Sequence, residues 1–254
     1  MTHEADVYRA LLLACFALAG VTFFATGVLT APYGRHTRAG FGPTVPKRLG
    51  WFLMESPSVV LFSAFFLMGS RSGEWIPRMF ALMWLAHYLQ RAWLDPFLMR
   101  GAAGKRMPLL VVAMGMTFNT LNSYLNARWL SELGPGYSWR WLVDPRFLYG
   151  MILFVGGYLV NRWADAVLIR LRRDNTDYAI PHGGLYEDIS CPNYFGELVQ
   201  WFGWAIATWS LGGLSFAIFT FANLVPRAVA HHAWYRRQFP DYPRRRKAIF
   251  PGLL

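Results

Sequence analysis

Hydrophobic runs of membrane-crossing length recur along this chain, and several are interrupted by polar residues. A helical crossing takes about 20 mostly apolar residues. Runs of that kind fall near 7–29, 52–69, 76–99, 108–130, 147–169, 195–211 and 213–232. They predict an all-α integral membrane protein with seven transmembrane helices. The polar interruptions are Glu55, Tyr88, Arg91, Asn161, Asp165, Asn193, Glu197, Arg227 and His231. An ionisable group at the bilayer centre costs roughly 2.5–3.5 kcal/mol on insertion scales unless it faces a partner or a cavity. So many such residues predict a polar chamber among the helices, and with it a bound ligand.

Helical spacing sorts these residues into faces. Asn161 and Asp165 are four apart, and Arg172 shares their face if the helix runs on beyond the membrane. Asn193 and Glu197 are four apart at the start of the sixth run, while Arg227, His231 and Tyr235 repeat every four residues at the end of the seventh. Three polar stripes at one depth combine donors, acceptors and cations, which suits a polyanionic, hydroxyl-rich ligand such as a nucleotide. An internal salt-bridge network between helices is the competing explanation.

The front half offers a different set. In WFLMESPS (51–58), Glu55 stands two residues before Pro57, and irregular backbone at that depth is tolerated where it lines a cavity. An isolated carboxyl there is expected to be a neutral hydrogen-bond donor. Tyr88 and Arg91 share the segment HYLQRAW (87–93). A tyrosine hydroxyl beside a neutral carboxylic acid could grip a carbonyl oxygen and stabilise a developing enolate. Asn119, Asn122 and Asn126 mark an inward face of the fourth run, because each amide needs a partner in lipid.

Composition supports the membrane reading: 55% of the 254 residues are hydrophobic, 17% aromatic and only 15% charged. The net charge of +11 would point a soluble protein toward nucleic acid, but its distribution argues otherwise. Sixteen of the 25 basic residues fall in alternate loops and the C-terminal tail (Arg35, Arg38, Lys47, Arg48; Arg100, Lys105, Arg106; Arg170, Arg172, Arg173; Arg236, Arg237, Arg244–Arg246, Lys247), against five on the other side. The positive-inside rule then puts the N-terminus outside and the C-terminus in the cytosol, which requires an odd number of spans. The first run follows an acidic start and lacks a basic n-region, so it is read as a span and not a removed signal. Cys15 and Cys191 fall near opposite ends of the protein, and neither a disulfide nor a metal site is expected. GAAGKR (101–106) lacks the pattern of a phosphate loop and reads as a basic turn. The adjacent pair His231–His232 points to different helix faces, which does not make a metal site.

Two regions of one membrane domain follow. Residues 1–146 contain loops rich in Gly and Pro, and 147–254 are denser in matched polar pairs. The polar, turn-rich segment 174–193 is long enough to cover a cytosolic site. The ending YPRRRKAIFPGLL sets basic residues against an apolar terminus, in keeping with either anionic lipid or ligand contact.

Taken together, PYGRHT (32–37), WFLMESPS, HYLQR, N-x-x-x-D (161–165), YAIPHGGLY (178–186), NYFGE (193–197), WAIATWSL (204–211), the 227–235 run and DYPRRRKAIFP (241–251) resemble the steroid 5α-reductases, the length is also typical of that family, and a bacterial homologue is expected. The resemblance implies NADPH-dependent reduction of the Δ4 double bond of 3-oxo steroids, with residues 1–146 forming the substrate cavity and 147–254 binding NADPH. It implies Glu55 and Tyr88 as the catalytic groups on the 3-keto oxygen, with Trp51 beside them on the substrate. It implies Arg91, Asn161, Asp165, Arg172, Tyr178, Asn193, Glu197, Arg227, His231 and Tyr235 as cofactor contacts. Met54 stands where the family often has glutamine, and Ala179 where it commonly has arginine, a contact Arg173 could cover. The expected surroundings are an apolar enone and a lipid bilayer, with no nucleic acid and no obligate protein partner. The expected membrane is a bacterial inner membrane, or the endoplasmic reticulum in a eukaryote.

Rival readings are a related membrane reductase (sterol C14 or C7, enoyl-CoA or polyprenol), an isoprenylcysteine-type methyltransferase, and a non-enzymatic carrier. The Glu55–Tyr88 pair argues against the first. The segment 190–196 keeps the proline, tyrosine and glycine of the methyltransferase pattern but not its Arg-His. A carrier would not need dinucleotide stripes.

Overall fold

A computed structural model describes residues 3–29, 40–98, 104–174 and 178–254. The 32–37 motif, Arg35, Arg38, Arg100 and the start of the 101–106 turn lie outside the described residues, as does the side chain of Arg173. Helix α1 spans His3–Val28. The second apolar run divides into α2 (Lys47–Glu55) and α3 (Pro57–Leu67), which meet at Ser56. Pro57 has no N–H to donate into the preceding turn, and side chains from other helices take up carbonyls around the break. Asn119 Nδ2 donates to the Met54 carbonyl at 2.7 Å, Ser123 Oγ to Pro57 at 3.3 Å and Trp84 Nε1 to Ser58 at 2.9 Å.

Helix α4 (Trp75–Tyr88) runs through a π-helical turn at Leu89–Leu94 into the short α5 (Asp95–Leu98). Helix α6 (Leu109–Arg128) ends in a second π-helical turn, Trp129–Leu133. Three helices complete the chain: α7 (Pro145–Asp174), α8 (Pro192–Thr208) and α9 (Leu211–Gln238). Both α7 and α9 outrun their predicted ends at 169 and 232, so the helix that carries Asn161 and Asp165 does persist through Arg172. Among the described residues, His3–Val28, Lys47–Leu67, Pro145–Arg172 and Leu211–Gln238 are long and apolar enough to cross a membrane. The protein is therefore a mainly helical membrane protein.

The all-α expectation needs one correction. Strands β1 (Thr44–Pro46) and β2 (Arg106–Pro108) form an antiparallel ladder with Val45 opposite Met107. Three-residue strands are too short for alternation to register in a sequence. The ladder joins the loops after the first and third runs, reinforced by Lys47 N–H to Lys105 O at 2.9 Å and Leu109 N–H to Pro43 O at 2.8 Å. Lys47 also lies in the field of Arg172 at the end of α7, so these basic segments share one end of the bundle. At the loops between α3 and α4 and after α6, Arg71 donates to the carbonyls of Glu132 and Gly134, both at 2.6 Å.

Helices α7 and α8 make the most extensive contact in the fold, and small residues are the reason. A Cβ on Gly157 would meet Gln200 N at 2.3 Å, and one on Gly196 would meet Asn161 N at 2.5 Å. Gly150 and Gly203 repeat the approach seven residues along each helix. Without a hydrophobic force between helices in lipid, such close backbone approach supplies the packing energy. It also brings the Asn161 and Asp165 face of α7 against the Asn193 and Glu197 face of α8.

An aromatic core fills the space between the front helices and α8–α9. Trp84, Trp201, Trp204, Phe62, Phe80 and Phe216 are all buried there. Trp204 Nε1 donates to Asn126 Oδ1 at 2.8 Å, as Trp84 Nε1 does to the Ser58 carbonyl. Cys15 packs near Tyr8 and Leu125, and Cys191 in a separate cluster with Leu198 and Leu224.

Candidate active site

Glu55 ends α2 and is buried, with 7% exposure. The isolated carboxyl expected from the sequence is not what the fold provides. Arg91 Nε faces Glu55 Oε1 at 3.6 Å, and Asn119 Nδ2 donates to Oε2 at 3.3 Å. The sequence reading missed these partners because they come from the π-helical turn after α4 and from the middle of α6. A π-helical turn shifts the register of the side chains that follow it, and such turns recur at functional sites. Here it carries Arg91 into the interior, with its guanidinium 5.4 Å from the centre of the Trp51 ring. Where Met54 stands, the Asn119 amide supplies a polar contact to Glu55 from another helix.

Tyr88 is also buried, between Trp84 (ring centres 4.8 Å apart) and Trp201 (5.8 Å, stacked). Its phenol lies in the electrostatic field of Glu55, Arg91 and Glu197. Glu55, Tyr88 and Trp51 are thus brought to one region. The same guanidinium reaches Glu197 on α8, NH2 to Oε1 at 3.5 Å. Arg91 therefore joins the front-half carboxyl to the back-half stripe.

Polar atoms buried without a hydrogen-bond partner gather in this neighbourhood: Trp51 Nε1, Ser58 Oγ, His87 Nε2 and Gln200 Oε1. His87 and Gln200 are themselves paired, Nδ1 to Nε2 at 3.0 Å. Such atoms carry a desolvation cost that a bound polar group removes. Gln200 could have been suspected from its place on the same face as Asn193 and Glu197. His87 stands four residues before Arg91 in the sequence, a spacing that puts the two on one helix face, whereas Ser58 gave no signal beyond polarity.

Particular bonds join parts of the back-half stripes. Asn161 Nδ2 donates to the Asn193 carbonyl at 3.0 Å, and Asn193 Nδ2 donates to Asp165 Oδ1 at 3.1 Å. On α9, Arg227 NH2 donates to the Tyr194 hydroxyl at 3.2 Å, and that hydroxyl lies 3.2 Å from His231 Nε2. Tyr235, in contrast, is buried in an aromatic stack, with its ring 5.2 Å from that of Tyr242. Tyr178 is partly exposed and meets Trp234 edge to face at 5.1 Å. Arg172 is exposed at the end of α7.

The segment between α7 and α8 is locked onto the C-terminal tail. Ile189 pairs with Lys247, Ser190 N–H donates to Lys247 O at 2.8 Å, and Cys191 N–H donates to Ala248 O at 3.1 Å. Arg246, only 1% exposed, donates to the Pro181 carbonyl at 3.0 Å and faces Glu187 at 3.7 Å. Burial raises the Tyr186 phenol well above its ordinary range, and that hydroxyl donates to the Ala164 carbonyl at 3.1 Å. Of the tail's basic residues, Arg246 is thus a structural clamp, while Arg244, Arg245 and Lys247 remain exposed.

Chemically the site has two parts. Around Glu55 and Tyr88 it is aromatic and apolar with a few hydrogen-bonding groups, which suits a greasy ligand with one polar end. Between α7, α8 and α9 it offers amides, carboxylates and two cationic or donor side chains, which suits a nucleotide. Among the described residues no cluster of histidine, cysteine and carboxylate is arranged to hold a metal ion.

Residues 105–254 match the sequence profile of the family described as 3-oxo-5-alpha-steroid 4-dehydrogenase. The chain is 44% identical over 259 residues to a steroid 5-alpha-reductase of Gossypium hirsutum, with 100% of both chains covered. It is 42% identical over 243 residues to 3-oxo-5-alpha-steroid 4-dehydrogenase 1 of Bos taurus, covering 94% of this chain and 93% of the relative. The corresponding human protein is 44% identical over 230 residues, covering 87% and 86%. Identity of this order across nearly the whole length means that the chain belongs to the 3-oxo-5-alpha-steroid 4-dehydrogenase family of oxidoreductases.

Proposed function

We propose that the protein uses NADPH to reduce the Δ4 double bond of 3-oxo-Δ4 steroids, giving the 5α-reduced 3-oxo product. The observation that carries this reading is Arg91, which faces Glu55 at 3.6 Å and Glu197 at 3.5 Å. It makes an apolar ketone site and a polar nucleotide site neighbours. The names of the relatives, steroid 5-alpha-reductase and 3-oxo-5-alpha-steroid 4-dehydrogenase, support the substrate class.

The donor set fits a phosphorylated dinucleotide. Arg227 and His231 supply groups for anionic or amide oxygens, Asn161, Asp165, Asn193 and Glu197 accept and donate, and Arg172, Tyr178 and Tyr235 lie toward the same end of the helices. When bound, NADPH supplies the hydride that adds to C5, and C4 takes a proton. As the enone accepts hydride, negative charge grows on the C3 oxygen. Tyr88 and Glu55 in its protonated form donate to that oxygen, an effect of about 3–4 kcal/mol per well-placed donor. Trp51, Trp84 and Trp201 keep water away and line the apolar body of the substrate.

On this reading residues 1–146 form the substrate cavity and 147–254 the cofactor side. The chain crosses the membrane seven times with its C-terminus in the cytosol. The ladder between the 44–46 and 106–108 segments, with Arg172 near Lys47, supports a common face for the basic loops.

The test is purified protein in detergent with NADPH and a panel of enones. NADPH consumption that depends on a 3-oxo-Δ4 steroid, with a product two mass units heavier, is the expected result. Consumption without steroid, or none with any enone, overturns the assignment.

A further inference from the structure

We infer that Arg162 is a positioning residue: by gripping both ends of the π-helical turn at Leu89–Leu94 it sets where Arg91 points. Neither Arg162 nor Asp95 is among the polar residues that the hydrophobic pattern singles out. The consequence for turnover rests on the reading of Glu55, Arg91 and Glu197 as the site.

The geometry begins with one backbone bond. The Asp95 N–H donates to the Gln90 carbonyl, five residues back, and closes the turn. On an α-helix, residues five apart stand about 140° from each other around the axis. A bond spanning five residues brings them over one another instead. The side chains of this same pair hold Arg162 on α7. Its NH1 donates to Asp95 Oδ2 at 2.9 Å and to Oδ1 at 3.1 Å. A guanidinium has no acceptor, so the Gln90 amide turns its oxygen toward Arg162. That oxygen accepts from Nε at 3.0 Å and from NH2 at 2.7 Å, and the amide nitrogen donates to the Tyr158 hydroxyl. Tyr158 and Arg162 are four apart, so one face of α7 supplies both.

Arg91 follows Gln90 directly and lies inside the turn that these contacts pin. Its guanidinium reaches Glu55 at 3.6 Å and Glu197 at 3.5 Å. Relaxation of the turn to an α-helix removes a one-residue offset, and each residue of offset swings a side chain by about 100°. The Arg162–Asp95 pair is partly buried, with 25% and 16% side-chain exposure. A planar fork spans Gln90 and Asp95 together, whereas an ammonium is a point charge. Asn161, the residue before Arg162, donates to the Asn193 carbonyl on α8. Two successive residues of α7 therefore fix the helix that carries Glu197 and the turn that carries Arg91.

Two measurements on the full-length protein in detergent test the inference. The first is a thermal-unfolding cycle, which needs no turnover. Arg91→Met lowers Tm in the wild-type background, because two carboxyl groups lose their cation. In an Arg162→Met background that drop is expected to shrink by at least half, because Arg91 no longer stands between them. If Arg162→Met gives no folded protein, Arg162→Lys carries the same cycle, since it keeps a charge for Asp95 and loses the fork. Equal drops in the two backgrounds overturn the inference. The second is steady-state kinetics with NADPH and a 3-oxo-Δ4 steroid. Arg162→Lys should lower kcat/KM about tenfold, as expected for a misplaced group. In an Arg91→Met background the same change should shift kcat/KM by less than about twofold. A purely structural role would lower Tm and leave kcat/KM of the folded enzyme alone, and that result also overturns the inference. If the wild-type protein shows no steroid-dependent NADPH consumption, the proposed reaction falls, while the thermal cycle still decides whether Arg162 places Arg91.

Discussion

Glu55 and Arg91 face each other with Oε1 and Nε 3.6 Å apart, and the same guanidinium lies 3.5 Å from Glu197. Both separations exceed hydrogen-bond length, so the guanidinium stands beside the two carboxyl groups in a poorly hydrated interior without closed bidentate contacts. One cation therefore serves two carboxylates from opposite halves of the chain.

Replacing Arg91 by methionine should leave both carboxylates without that partner. Breaking a fully buried pair costs about 3–5 kcal/mol. Arg91 retains 23% side-chain exposure, so about 2 kcal/mol is expected. Thermal unfolding in detergent should show the loss, and Arg91→Lys should recover part of it.

Glu55→Gln and Tyr88→Phe address the ketone clamp. Each should lower kcat/KM by roughly 10²–10³, the range for loss of one oxyanion donor. NADP⁺ affinity should stay within about twofold of wild type. Steady-state kinetics beside a dinucleotide titration separates the two effects, and unchanged turnover would remove these residues from the clamp.

The α7–α8 contact can be tested at Gly157, where an added Cβ meets backbone nitrogen at 2.3 Å. Backbone cannot move aside as a flexible side chain can, so Gly157→Ala should cost about 1–3 kcal/mol. NADP⁺ affinity should fall with it, because Asn161 and Asn193 would be pushed apart. The control is Gly156→Ala, which has open space and should behave as wild type.

Acid should loosen the segment between α7 and α8. The Gly183 N–H donates to Glu187 Oε1 at 2.8 Å and holds that carboxyl below its ordinary value. A depressed folded value means that this stabilisation is present above the unfolded value, about 4.3, and is lost as pH falls through the folded one. The Tm gap between wild type and Glu187→Gln should therefore be open at pH 7, begin to narrow as pH falls through about 4.3, and close only below the depressed folded value.

Arg246→Met should release the tail from this segment. It removes the bond to Pro181 and the charge facing Glu187, at a cost of about 2–4 kcal/mol. Limited proteolysis between residues 178 and 190 should accelerate, whereas Arg244→Met, at an exposed position, should leave the rate unchanged.

Much of the site was legible because membrane burial makes polar residues conspicuous. Glu55, Tyr88, Asn161, Asp165, Asn193 and Glu197 stood out against apolar surroundings, and helical spacing put Asn161 with Asp165 and Asn193 with Glu197. Their partners were less visible. Asn119 was seen as an inward amide, but its bond to Glu55 depends on how α6 crosses the α2–α3 break. Tyr194 and Trp201 look like ordinary aromatics in a chain with 17% of them.

By itself, the order of residues determined that the chain is mainly helical and membrane-bound, and which helix faces turn inward. Those properties follow from local periodicity and from the cost of exposing polar groups to lipid, and both can be read along one segment at a time. Only the tertiary structure decided that Arg91 joins Glu55 to Glu197, that Arg246 clamps the tail, and that two three-residue strands pair. Each of these depends on distances between segments far apart in the chain, set by backbone approach at glycines and by a π-helical turn that no single-segment pattern encodes.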